Sequence, residues 1–167
     1  ALIGAMLAAA GIPHEVGGNI GRPLVELADV LGPDDWAVLE LSELQLPTLS
    51  RGTDISVTTN ILEDHLDRHG TVEAYRAVKA RLTELAAPGG RVILNRDDPA
   101  SRALGEGLRT VPTWFGVRAG VEARVVEGWI ILDGTPLIPV AEVPLPGEHM
   151  LANALAAALA ASGAGAP

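Results

Sequence analysis

A β-branched run that empties into a dense polar cluster, with a long amphipathic helix directly after it, constrains this 167-residue chain most. Ile55 to Ile61 (Ile-Ser-Val-Thr-Thr-Asn-Ile) reads as a buried strand. The next seven polar-rich residues, Glu63 to His69, hold three carboxylates, two histidines and an arginine. Thr71 then caps a helix reaching about Ala87, with Glu73 in its first turn and an apolar stripe of Val72, Tyr75, Val78, Leu82 and Leu85. Lys79 follows Val72 by seven residues, which returns it to within ~20° of that stripe. Polar groups at the C-terminal end of a strand stand where open α/β sheets place ligands. Local chemistry alone equally allows a snorkelling surface lysine and a solvated charge run.

Strand and helix signals alternate through most of the chain. Ala1 to Ala10 reads as a helix stopped by Gly11, and Gly17-Gly18-Asn19-Ile20-Gly21 as a turn in which backbone can approach a ligand. A helix over Pro23 to Leu31 leads through Gly32-Pro33-Asp34-Asp35 to a central strand, Trp36 to Leu41, with Glu40 near its end. Beyond the turn Pro88-Gly89-Gly90 come the strand Arg91 to Asn95, a helix from Pro99 to Leu104 capped by Asp98, and a short strand at Trp114 to Gly116. Two β-like runs around Glu127-Gly128 and a turn at Asp133-Gly134 predict a small antiparallel appendage. An alanine-rich helix runs to Ser162, and Gly163 to Pro167 is linker-like. Alternation of this kind specifies an α/β fold: a mainly parallel sheet flanked by helices.

Composition sets outer limits. Apolar content of 48% with 20% charged residues suits one globular domain. A formal charge of −9 argues against a general nucleic-acid or anionic-membrane surface. The absence of cysteine excludes disulfides and thiolate metal sites and suits the cytoplasm. The apolar first ten residues are too few to span a bilayer.

Asn60-Ile-Leu-Glu-Asp-His65-Leu-Asp-Arg-His-Gly, with Tyr75-Arg-Ala-Val-Lys79-Ala-Arg-Leu, resembles the central-domain signature of the Mur ligases. Three further stretches match in the same order: Gly17-Gly-Asn19-Ile-Gly21, Leu39-Glu40-Leu-Ser42-Glu-Leu-Gln45-Leu, and Gly147-Glu-His149-Met-Leu-Ala-Asn153-Ala-Leu. The first two of these look most like the branch that adds D-glutamate to UDP-N-acetylmuramoyl-L-alanine. The resemblance implies a P-loop NTPase-like central domain of an ATP- and Mg²⁺-dependent amide ligase of peptidoglycan synthesis, working through an acyl phosphate. It implies Asn19 and Ser42 at the muramoyl substrate, and Asn153 and His149 at the nucleotide. Glu40, His65 and Lys79 would hold metal, with Lys79 as its N-carbamate and His65 and Lys79 counted as catalytic. Asp64 and Asp67 would orient His65. Glu43 and Met150 depart from the family's second serine and second asparagine.

The family's phosphate loop, Gly-x-x-Gly-Lys-[Ser/Thr], has no counterpart in these residues, since Lys79 is the only lysine. The expectation is therefore a central-domain fragment over residues 1–167, without the loop, the N-terminal uridine-binding domain and the C-terminal amino-acid-binding domain. By itself it should be inactive, monomeric and cytoplasmic. A folylpolyglutamate synthase-like ligase and a non-catalytic binding module are the alternatives. Glu40 and His65 should end on the same edge of the sheet, because parallel strands share a direction.

Overall fold

A computed structural model describes residues 1–62, 66–118, 120–144 and 146–167, with residues 66 and 67 as backbone only. Helix α1 (Leu2–Ala9) leads to strand β1 (His14–Gly18), helix α2 (Leu24–Leu27) and strand β2 (Trp36–Glu40). A 3₁₀ turn at Leu46–Thr48 precedes β3 (Ile55–Thr58), α3 (Leu66–His69), α4 (Val72–Glu84) and β4 (Arg91–Asn95). Then come α5 (Pro99–Glu106), β5 (Thr113–Gly116), β6 (Ala123–Val126), β7 (Trp129–Leu132), β8 (Thr135–Pro139) and the closing helix α6 (Glu148–Gly163).

β1 and β2 form a parallel pair, and β3 to β8 form a second sheet in sequence order. The joins from β3 to β6 are parallel, and those between β6, β7 and β8 are antiparallel. The antiparallel strands expected as an appendage thus continue the main sheet, because Phe115 and Gly116 pair with Ala123 and Arg124. Their two turns formed as the sequence predicts. Glu127-Gly128 and Asp133-Gly134 have φ of 48° and 79°, and of 48° and 84°, the left-handed pair that two-residue hairpin turns require. Among the described residues β2 is paired only to β1, and β3 only to β4.

α6 supplies the centre of the core. Leu155, Leu159, Ala156 and Ala160 pack with Ile93, Phe115, Ala123 and Ile130, all nearly or fully buried. Each large apolar side chain removed from water here stabilises by about 1.5–3 kcal/mol. Ala154, Ala157 and Ala161 are buried too, since α6 has the sheet on one side and α1 on another. Alanine lets α1 approach closely, and no single amphipathic stripe is left. The direction of α6 is fixed at both ends. Glu148 pairs with Arg118 after β5 at 2.7 Å, while Gly163 lies against Ile55 and Arg91 at the starts of β3 and β4. The helix therefore runs back across the sheet, from the C-terminal ends of the strands to their N-terminal ends.

Local signals held where a side chain cap was present. Thr71 accepts from the Ala74 N–H at 3.1 Å, and Asp98 from the Ser101 N–H at 2.8 Å. The helix expected over Pro23 to Leu31 shrinks to α2, Leu24–Leu27, which has no side-chain cap bond. In α4 the fully buried positions are Tyr75 and Thr83, with Leu82 only half-buried. Thr83 resolves its polarity by donating to the Ala80 carbonyl at 2.7 Å. No helix among the described residues is long and apolar enough to cross a membrane.

Asp98 has a second task. Its Oδ2 also accepts from the Ile61 N–H at 3.2 Å, and Asn95 donates to the Thr59 carbonyl at 2.8 Å. The end of β4 thus fixes the segment that leaves β3. Asp98→Ala should lose the cap and orphan a buried-side donor, at a cost of about 2–3 kcal/mol in urea unfolding. A loss under about 0.5 kcal/mol would mean that water replaces both bonds.

Candidate functional site

The first cluster is made by the tips of β1 and β2. Gly18 has φ of 112°, and a Cβ there would overlap the Glu40 carbonyl oxygen; one at Gly17 would overlap that of Arg22. Only glycine lets the two strand ends lie this close. The chain then turns back, with the Gly18 N–H donating to the Arg22 carbonyl at 2.9 Å. Asn19 is held against Glu40 twice: its N–H donates to the Glu40 carbonyl at 2.7 Å, and its side-chain amide to Oε1 at 3.5 Å. Both side chains are exposed at the C-terminal mouth of the strand pair. Ser42 follows in a tight turn, its N–H donating to Gln45 Oε1 at 2.9 Å.

The second cluster lies on α3 and α4. Lys79 Nζ stands 5.5 Å from the centroid of the Tyr75 ring. That ring is 6% exposed, and the His69 ring lies against it, centroids 5.5 Å apart. Nε2 of His69 is buried and without a hydrogen-bond partner among the described residues. His65 and Asp64 lie outside the described residues, as does the side chain of Asp67.

Two contacts join the clusters. Arg68 of α3 reaches Glu43, just past the β2 tip, at 3.5 Å, and Glu43 is a nearly buried carboxylate. Arg81 of α4 donates to the Leu49 carbonyl at 3.4 Å, where α4 packs on the Leu46–Thr48 turn. The segments leaving β2 and β3 therefore meet. That is the part of the shared-edge expectation that rests on described residues. Glu43, noted in the sequence only as a departure, is the residue through which they meet.

The third group is at the start of α6. Asn153 is half-buried and His149 exposed, one turn apart. The Asn153 amide faces Met150 Sδ at 3.9 Å, a weak partner that leaves most of its bonding capacity available. Gly147 opens the helix at φ 95°, with the His149 ring folded against it.

Glu40 suits a hard cation: an exposed carboxylate oxygen, loosely held by one amide. No group of three His, Asp or Glu side chains stands together among the described residues. One carboxylate fits Mg²⁺, which keeps several waters and takes the rest of its oxygens from phosphates. An open hollow of about 590 Å³ between Arg96, Trp114, Glu122 and Arg124 contains none of these residues.

Comparison with known proteins gives one answer. Residues 24–161 match the family model described as the Mur ligase middle domain. Among curated proteins, the UDP-N-acetylmuramoylalanine–D-glutamate ligase of Solibacter usitatus is 40% identical over 98% of this chain and 38% of its own length. That of Pelotomaculum thermopropionicum is 42% identical with the same coverage. The chain thus spans under two fifths of the length of these relatives. A crystal structure of MurF from Acinetobacter baumannii shares the fold, with a TM-score of 0.75 at 15% identity over 98% of this chain and 39% of its own. With glycine-held strand tips, a capped lysine helix and a family match over most of its length, the chain belongs to the Mur ligase family, as a middle domain.

Proposed function

We propose that the chain is the central domain of an ATP-dependent ligase that joins D-glutamate to UDP-N-acetylmuramoyl-L-alanine in the cytoplasm, acting as a monomer. The observation that carries this reading is the set of D-glutamate ligases about 40% identical across nearly the whole chain. The phosphate loop, uridine-binding and amino-acid-binding parts would lie in the remainder of a longer polypeptide, and residues 1–167 alone would be inactive. An oxygen of the L-alanyl carboxylate attacks the γ-phosphorus of ATP, ADP leaves, and an acyl phosphate forms. The D-glutamate amine then adds to the acyl carbon, gives up a proton, and phosphate departs with the C–O electron pair.

The residues act by placing charge and holding atoms. The Asn19 amide and Ser42 hydroxyl bind the muramoyl substrate, and Asn153 with His149 binds adenine. Mg²⁺, when bound, would neutralise the phosphoryl oxygens, with Glu40 holding the nucleotide's ion and His65 and carbamylated Lys79 a second one near the acyl phosphate. Glu43 and Arg68 keep the Glu40 segment and the start of the Lys79 helix in register.

Phosphate release by the full-length protein tests the reading. Release should require ATP, UDP-N-acetylmuramoyl-L-alanine and D-glutamate together, with residues 1–167 alone as an inactive control. A dependence on a folate and L-glutamate would transfer the chain to the folylpolyglutamate branch. No release under any combination would leave a binding module.

A further inference from the structure

The hollow between the end of β4, strands β5 and β6, and the β7–β8 turn is lined by four charged side chains: Arg96, Glu122, Arg124 and Asp133. Its volume of about 590 Å³ lies within the range of small-ligand sites. Both arginines are half-buried, and both are held without being neutralised. The Arg96 guanidinium lies over the Trp114 ring, 4.9 Å from its centroid. That ring is wedged against Gly105 of α5, where a Cβ would overlap it. Arg124 Nη1 donates to the Val121 carbonyl at 2.7 Å. Among the described residues neither guanidinium pairs with a carboxylate. Glu122 uses Oε2 to accept from the Trp114 N–H at 3.1 Å, which fixes it in the wall of the hollow. Asp133 is exposed on the hairpin turn.

Two cations and two anions thus line one hollow without cancelling in pairs. A plain anion would meet two guanidiniums but also two like charges, and a plain cation the reverse. A ligand that carries both signs answers all four. Guanidinium forks match carboxylates, and a carboxylate oxygen accepts from an ammonium. We propose that the hollow binds an α-amino dicarboxylate, the chemistry of glutamate, with its carboxylates on Arg96 and Arg124 and its ammonium on Glu122 and Asp133. None of the residues assigned above to the muramoyl substrate, the nucleotide or the metal lies in it. The site is therefore independent of the D-glutamate ligase reading.

The indole N–H resonance of Trp114 in the ¹⁵N-labelled full-length protein, identified by its loss in Trp114→Phe, reports on the hollow directly. Titration with L- and D-glutamate should move it saturably for at least one enantiomer, with half-saturation at about 1 mM. Arg96→Ala and Arg124→Ala should each weaken that binding about tenfold or more, through loss of a charge-assisted contact. Glutarate has both carboxylates and no amine, and should bind about fivefold more weakly or worse. Glu122→Gln should erase the preference for glutamate over glutarate. Glutamine still accepts from the Trp114 N–H, so this variant keeps the test decisive if an arginine variant fails to fold. No saturable shift with either enantiomer up to about 50 mM overturns the site. Unchanged affinity in both arginine variants, or equal affinity for glutarate in the parent protein, overturns it as well.

Discussion

In the full-length protein, Lys79→Ala should lower ligation by about a hundredfold or more, the scale of losing a preorganised charged group at a reacting phosphoryl centre. The loss should be partly reversed by acetate or formate, because a small carboxylate can enter the space vacated by the side chain and supply the missing oxygens. Lys79→Arg should be as inactive as alanine and resist rescue, since guanidinium keeps the cation and fills the space. Steady-state rates at fixed ionic strength, with chloride as control anion, separate rescue from a salt effect. Near-parental activity in Lys79→Ala would leave this lysine as a snorkelling helix residue over the Tyr75 ring.

Gly18→Ala should be comparably damaging by a different route. Alanine at φ 112° costs more than it would in an ordinary turn, and its Cβ overlaps the Glu40 carbonyl oxygen. A loss of at least about 2 kcal/mol in unfolding is expected. The strand tips must part to admit the methyl group, which breaks the 2.7 Å bond between Asn19 and Glu40. A displacement near 1 Å at a reacting centre costs about a hundredfold in rate. Gly89→Ala is the control: φ there is 80°, with nothing within 4 Å of the new Cβ. It should lose only the conformational part, about 1 kcal/mol, and keep its activity. Equal behaviour of the two variants would mean that the close approach of β1 and β2 is not what shapes the tip.

The parts legible in the sequence were those written in neighbouring residues. β4 has the expected bounds, Arg91–Asn95, because three successive apolar residues, Val92 to Leu94, between a Gly-Gly turn and a polar Asn-Arg-Asp-Asp run leave little choice. The Thr71 and Asp98 caps and both hairpin turns are likewise local. What stayed hidden depends on partners far along the chain. Glu43 and Arg68 are 25 residues apart, and nothing in their surroundings says that their side chains meet. Asn95 ends its strand as expected, yet nothing nearby says that its amide ties that strand to Thr59, 36 residues earlier. Thr83 displaced Leu82 from the interior because a threonine can satisfy its hydroxyl on its own helix, which a periodicity of apolar residues does not register. At the candidate site, the contact of the Asn19 amide with Glu40, 21 residues on, was equally hidden. His65 lies outside the described residues.

The arrangement of strand borders bears on handling. β8 carries Pro136 and Pro139, which withhold donors from any newcomer, and the outer side of β1 is occupied by the return at Arg22. The inner borders, β2 with Trp-Ala-Val-Leu-Glu and β3 with Ile-Ser-Val-Thr, have no proline or lysine to discourage company. Among the described residues neither pairs with a strand on its other side, and an unpaired strand border is the form of surface on which foreign strands grow. An excised 167-residue piece is thus a poor candidate for storage at high concentration, where precipitation by edge-to-edge pairing competes with solubility from a charge of −9.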